Sequence, residues 1–160
     1  MLISSFFMSC FSYCPLIWTF CSKAKNNKIN SMHKKALKIL TPNQSDMNKL
    51  LAENNMVKIH TRNLQAMMTE VYCCLKHLNP SFLWNEVILN EKHTKSRNGS
   101  QLILPQTRTL SYGMKSFSFR GSMLWNYLPK YFKESASLSI FKKRIKNWIP
   151  DKCQCNLCTS

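Results

Sequence analysis

The stretch Ser111-Tyr-Gly-Met-Lys-Ser-Phe-Ser-Phe-Arg-Gly-Ser-Met-Leu-Trp-Asn-Tyr-Leu-Pro129 decides how the second half of this chain folds. It holds five aromatics, a closing proline and two of the three glycines in the chain. Phe117 and Phe119 alternate with Ser116 and Ser118, the period of a half-buried strand. After Gly121 the spacing changes: Met123, Leu124, Trp125 and Leu128 suit one or two helical turns, stopped by Pro129. The expectation is a short strand that breaks at Gly121 into a helix, with Trp125 anchoring a small core.

Outward from that stretch, Gln101 to Leu110 carries Leu102, Ile103 and Leu104 ahead of Pro105 and reads as one or two short strands. Ser137 or Ser139 is placed to cap a final helix with Ile140, Phe141, Ile145 and Trp148 inward. Asn90 to Gly99, with Lys92, His93, Lys95 and Arg97, reads as a basic loop. The first half is helical in pattern. Leu2 to Phe20 reads as a buried helix kinked or restarted near Pro15. Ser22 is placed to N-cap a second helix ending before Pro42, with Ile29, Met32, Ala36, Leu37 and Leu40 on its core face and Lys34, Lys35 and Lys38 opposite. Ser45 is expected to cap a short third helix bearing Met47, Leu50 and Leu51, ended by Asn54-Asn55. Leu64, Met67, Val71, Leu75 and Leu78 give a fourth helix over Lys58 to Leu78 its core stripe, ahead of Asn79-Pro80. Lys58, His60, Arg62 and Asn63 form a polar, basic cluster in its first turns. The reading is mainly α: about four helices in 1–80, a basic linker loop in 81–100, a small α+β unit with short strands and a final helix in 101–150, and a Cys-rich tail in 151–160.

Charge sets the functional class. Twenty-three Lys and Arg face seven acidic residues, a formal +16. Such an excess repels itself unless a polyanion screens it, so nucleic acid is the first partner to consider and an anionic membrane the second. The candidate phosphate contacts are Lys28, Lys34, Lys35, Lys38, Lys58, Arg62, Lys142, Lys143, Arg144 and Lys146. No residue from Met1 to Ser22 carries a charged side chain, so a small basic protein anchored in a membrane by Leu2 to Phe20 is the alternative. Five serines, Thr19 and Pro15 interrupt Met1 to Ser22, and a basic start of the signal-peptide kind is lacking. Cys10, Cys14, Cys21, Cys73 and Cys74 lie in apolar, helix-like segments, the pattern of buried free thiols in a reducing compartment, cytoplasmic or nuclear, not secreted.

Catalytic chemistry is hard to find. Two-metal polymerases and nucleases need clustered carboxylates. Here Asp46 and Asp151 lie far apart, and Glu53, Glu70, Glu86, Glu91 and Glu134 make no paired motif. Three glycines cannot build a phosphate-cradling loop. His33, His60, His77 and His93 are scattered and read as surface or capping residues. Catalytic residues are therefore none, and no small-molecule substrate is expected. Cofactors are none, with zinc at the tail the alternative: Cys155 and Cys158 have C-x₂-C spacing and Cys153 supplies a third thiolate, but a fourth ligand is not evident unless Asp151 or a distant His or Cys closes the shell. Otherwise the trio is an unliganded thiol tail.

The residues Phe11-Ser-Tyr-Cys-Pro-Leu-Ile-Trp18, Asn26-Asn-Lys-Ile-Asn30 and His33-Lys-Lys-Ala-Leu-Lys-Ile-Leu40 resemble the thumb region of non-LTR (LINE-type, jockey-like) retrotransposon reverse transcriptases. The likeness continues through Ile59-His60, Arg62-Asn-Leu-Gln65 and Asn79-Pro80, then Tyr112-Gly113, Ser116, Phe119, Gly121, Leu124-Trp-Asn126 and Leu128-Pro129. Ser137-Leu138, Phe141-Lys142 and the terminal Cys153, Cys155 and Cys158 complete it. The resemblance implies a thumb-like helical bundle followed by the polymerase's C-terminal segment, in a truncated or decayed copy whose metal-binding aspartates belong to upstream fingers and palm. It implies RNA or an RNA/DNA duplex as partner, gripped by its phosphates through residues such as Lys34, Lys35, Lys38 and Arg62.

Overall fold

The computed structural model describes residues 8–43, 46–91, 99–109 and 112–149. The chain divides into two compact units, one ending at Leu64 and the other beginning at Gln65. The architecture is mainly helical, as the periodicities predict.

In the first unit, residues 8–12 form a helical turn. Cys14, at φ 44°, breaks it, and Pro15 opens the turn Pro15–Trp18, where its missing N–H costs nothing. The indole N–H of Trp18 donates to Tyr13 O at 3.0 Å and closes this joint. Ser22 precedes helix α1 (Lys23–Leu40), which ends ahead of Pro42. Helix α2 (Met47–Glu53) is capped by Asp46, whose carboxylate accepts from Asn48 N. That role was expected of Ser45, which lies outside the described residues. Asn55, at φ 51°, ends α2. Leu50 and Leu51 pack on Leu37, with Met47 and Met56 around them. Among the described residues, no helix is long and apolar enough to cross a membrane.

The core face of α1 differs from the expected one. Asn26, His33 and Leu37 are buried, whereas Met32 is 48% exposed, Ile39 70% and Leu40 also exposed. The helix is rotated so that a polar pair lies inside; Asn26 compensates by donating from Nδ2 to Cys21 O at 3.2 Å. Helix α3 (Ile59–Leu75) stops short of the expected Leu78 because His77 takes a left-handed conformation at φ 53°. Leu78 is accordingly exposed, while Asn63, expected in the exposed basic cluster, is buried. The cysteines also divide: Cys74 is buried, but Cys10 and Cys14 are exposed rather than buried as expected.

In the second unit the decisive stretch is helical from its start. Helix α4 spans Phe117–Tyr127, so the expected strand at Phe117 and Phe119 is not there. Ser116 is the reason. Its backbone is extended, and its hydroxyl accepts from Phe119 N and donates to Gly113 O at 2.7 Å, capping the helix. The Ser-Phe alternation is the capped first turn. Gly121 through Trp125 are buried, and Leu128 turns extended before Pro129. Helix α5 (Leu138–Ile145) is capped by Ser137, which accepts from Ile140 N. Phe141 and Ile145 point inward as expected, while Ile140 is exposed.

Three rings form the centre. Tyr72 stacks on Phe141 with centroids 4.4 Å apart, and Trp125, 2% exposed, lies over Phe141 at 6.1 Å. The Tyr72 hydroxyl donates to Ser135 O at 2.8 Å, so the phenol's polar end is satisfied. The expected strands in Gln101 to Leu110 reduce, among the described residues, to one antiparallel bridge, Leu89 to Leu102. The side-chain amide of Asn126 takes the other edge of Leu102, accepting from its N–H at 2.7 Å and donating to its carbonyl at 2.9 Å. An amide thus stands where a further strand would pair.

Gly121 sets how closely α4 approaches α3. A Cβ there would lie 2.9 Å from Val71 Cγ2 and 3.6 Å from the Phe117 ring. Overpacking costs about 1–3 kcal/mol, and Ala gains about 1 kcal/mol over Gly in a helix. Gly121→Ala is therefore expected to lower unfolding free energy by up to about 2 kcal/mol in a urea titration followed by tryptophan fluorescence. Greater stability would contradict the close contact.

Candidate nucleic-acid interface

The basic residues singled out in the sequence fall on two groups of helices. In the first unit, Lys28, Lys35 and Lys38 are exposed along α1, and Lys34 is half-buried at the border of its core face. None of the four is paired with a carboxylate among the described residues. The sequence explains this: the first acidic residue of the chain is Asp46, so nothing local can neutralise them. At 100° per residue, Lys28, Met32, Lys35 and Ile39 share one line of the helix, so cations alternate with exposed apolar groups.

Lys58 precedes α3 and is exposed; Arg62, in its first turn, donates from Nη2 to Ser12 Oγ at 3.1 Å. Arg62 also lies close enough to His33 for its charge to be felt. Burial pushes the His33 imidazole below its ordinary 6.5, and the Arg62 guanidinium pushes it further the same way. Read as a surface or capping residue in the sequence, His33 is in fact a core residue kept neutral. His60 packs edge-on against Phe20, and His77 ends α3 against Trp84; His93 lies outside the described residues.

In the second unit, Lys142, Lys143 and Lys146 are exposed at the end of α5, where cations favour the helix dipole. Lys142 is near enough to Cys73 to lower its thiol pKa, though burial, the larger effect, and Glu70 raise it. Arg144 is held inside the unit. Its Nη1 donates to Tyr131 O at 2.7 Å and to Ser135 Oγ at 3.2 Å, and its guanidinium carbon lies 4.1 Å from the Tyr131 ring centroid. Its first role is positional rather than phosphate contact. Lys133, which the sequence reading passed over, is only 7% exposed, its ammonium held at about 8 by burial. Nothing in its Lys-Tyr-Phe-Lys context marks it as different from Lys130.

The metal reading gains no support from the described part of the chain. Among those residues no three His, Cys, Asp or Glu side chains gather as a metal site requires. Cys153, Cys155, Cys158 and Asp151 lie outside them, as do Lys92, Lys95 and Arg97. A depression of about 240 Å³ lined by Thr41, Pro42, Asn43 and Glu53 falls below the usual range of ligand pockets. No protein-family model, curated protein or solved structure matches the chain.

The His33 environment makes a pH prediction. Because its folded pKa lies below the unfolded 6.5, the folded form binds fewer protons, so its contribution to stability is complete above pH 6.5 and declines as pH falls below that value. In an NMR titration the His33 imidazole is expected to titrate below 6.5, and Arg62→Gln should move its midpoint upward. A midpoint at or above 6.5 in the unaltered protein would contradict both causes.

Proposed function

We propose that this chain is a non-catalytic, nucleic-acid-binding piece of a retrotransposon RNA-directed DNA polymerase, corresponding to its thumb and C-terminal segment. The observation that carries the binding reading is the exposed lysine line of α1, which no nearby carboxylate offsets. Lysines so arranged are point charges suited to a phosphate backbone, which they contact without reading sequence. The polymerase assignment rests on the ordered run of motifs from Phe11-Ser-Tyr-Cys-Pro to Leu128-Pro129, and a mainly helical chain agrees with a thumb. RNA or an RNA/DNA duplex is the partner that both considerations favour, with fingers and palm supplying chemistry upstream. The carboxylates needed to hold catalytic metal ions are not gathered anywhere in this sequence.

Binding of labelled RNA should weaken steeply with salt, because phosphate contacts release counterions. Changing Lys28, Lys35 and Lys38 together to Gln is expected to reduce the slope of log affinity against log salt by about 2–3. Since all three side chains are exposed, the melting temperature should hardly move. Binding indifferent to salt, or an unchanged slope, would contradict the proposal.

A further inference from the structure

Tyr131 is one of several exposed aromatics, and among the described residues the one that a guanidinium backs. It stands on the one-turn helix Lys130–Lys133, directly after Pro129, and 59% of it is exposed. An exposed tyrosine usually rotates freely; this one is held. The Arg144 guanidinium lies against the ring at 4.1 Å, and the same guanidinium is tied by Nη1 to the carbonyl of Tyr131 itself and to Ser135 Oγ. Phe132 meets the ring edge-on at 5.3 Å and 76°. Ser135 in turn accepts the Tyr72 hydroxyl on its carbonyl, so the support leads back to the buried ring stack. The result is a rigid ring, backed by a cation and open to solvent over much of its surface.

Charge on its own turn is mixed: Lys130, half exposed, is bridged to Glu134 at 3.4 Å. The helix that supplies Arg144, α5, carries the exposed Lys142 and Lys143, to which no carboxylate is paired among the described residues. A planar ring fixed in place on a unit with exposed lysines is what an unpaired nucleobase and its phosphate require: the base stacks on the ring, and the phosphate meets an ammonium. A base inside a duplex is already stacked on its neighbours and has no open face to give. Arg144 adds to this without touching the ligand, since a pre-positioned ring loses less freedom when a base arrives.

We infer that Tyr131, backed by Arg144, is a stacking platform for an unpaired base, so that the second unit takes single-stranded nucleic acid in preference to duplex. This rests on the reading that the chain binds nucleic acid. The test measures the full chain by fluorescence anisotropy against a labelled 15-nucleotide single-stranded RNA and the matching duplex, each at low and at moderate salt. Tyr131→Leu is expected to weaken single-strand binding about tenfold and to leave duplex binding within about twofold, while Tyr131→Phe, which keeps the ring, binds as the unaltered protein does. Photocrosslinking of the unaltered protein to the same RNA carrying 5-iodouridine needs no variant and is expected to mark the peptide containing Tyr131. Salt-dependent binding in which a folded Tyr131→Leu keeps full single-strand affinity, or crosslinks that omit Tyr131, would overturn the platform alone. Failure of the unaltered protein to bind either RNA at low salt would overturn the nucleic-acid reading with it.

Discussion

The contact on which the second unit depends is the stack of Tyr72, Phe141 and Trp125. Each ring comes from a different helix, α3, α5 and α4, so the stack fixes three elements with one cluster. Ring pairs of this kind add about 0.5–1.5 kcal/mol beyond the burial of their area. Gly121 makes the arrangement possible by letting α4 approach Val71. The solvent-facing Tyr131 inherits its position from that centre. The Tyr72 hydroxyl holds Ser135, Ser135 helps hold Arg144, and Arg144 holds Tyr131.

The first unit is built on a weaker apolar contrast. Leu37, Leu50 and Leu51 form its cluster, yet α1 buries Asn26 and His33 and exposes Met32 and Ile39. What distinguishes this unit is charge rather than packing. With no carboxylate before Asp46, the exposed lysines of α1 face solvent without a paired carboxylate among the described residues. A neutral His33 is consistent with that surplus, since a further cation beside Arg62 would be costly.

Much of this was legible in the sequence, and most of the failures share a cause. Helix positions followed from spacing and punctuation: Ser22, Asn54-Asn55, Pro129 and Ser137 mark real ends. Trp125, Phe141 and Ile145 were recognisable as core. One error was local: Ser116 makes Phe117 and Phe119 helical by capping, a choice that alternation alone could not reveal. The others came where a side chain's partner is distant. Rotation of α1 depends on what packs against it, and hydrophobicity pointed to Met32 and Leu40 instead. Asn126 meets Leu102 across 24 residues and Arg144 meets Tyr131 across 13, so neither pair has a periodic signature. The candidate phosphate contacts were readable as lysine runs, but Arg144's structural task and the burial of Lys133 were not.

The central claim is that exposed basic faces, held by a packed interior, bind nucleic acid. Mapping backbone amide shifts while single-stranded RNA is titrated into the full chain tests it most directly. The account predicts shifts over residues 28–38 and 130–146, with the buried Met67, Met68, Val71 and Cys74 unmoved. Shifts confined to the cysteine tail, or none at all under low salt, would contradict it.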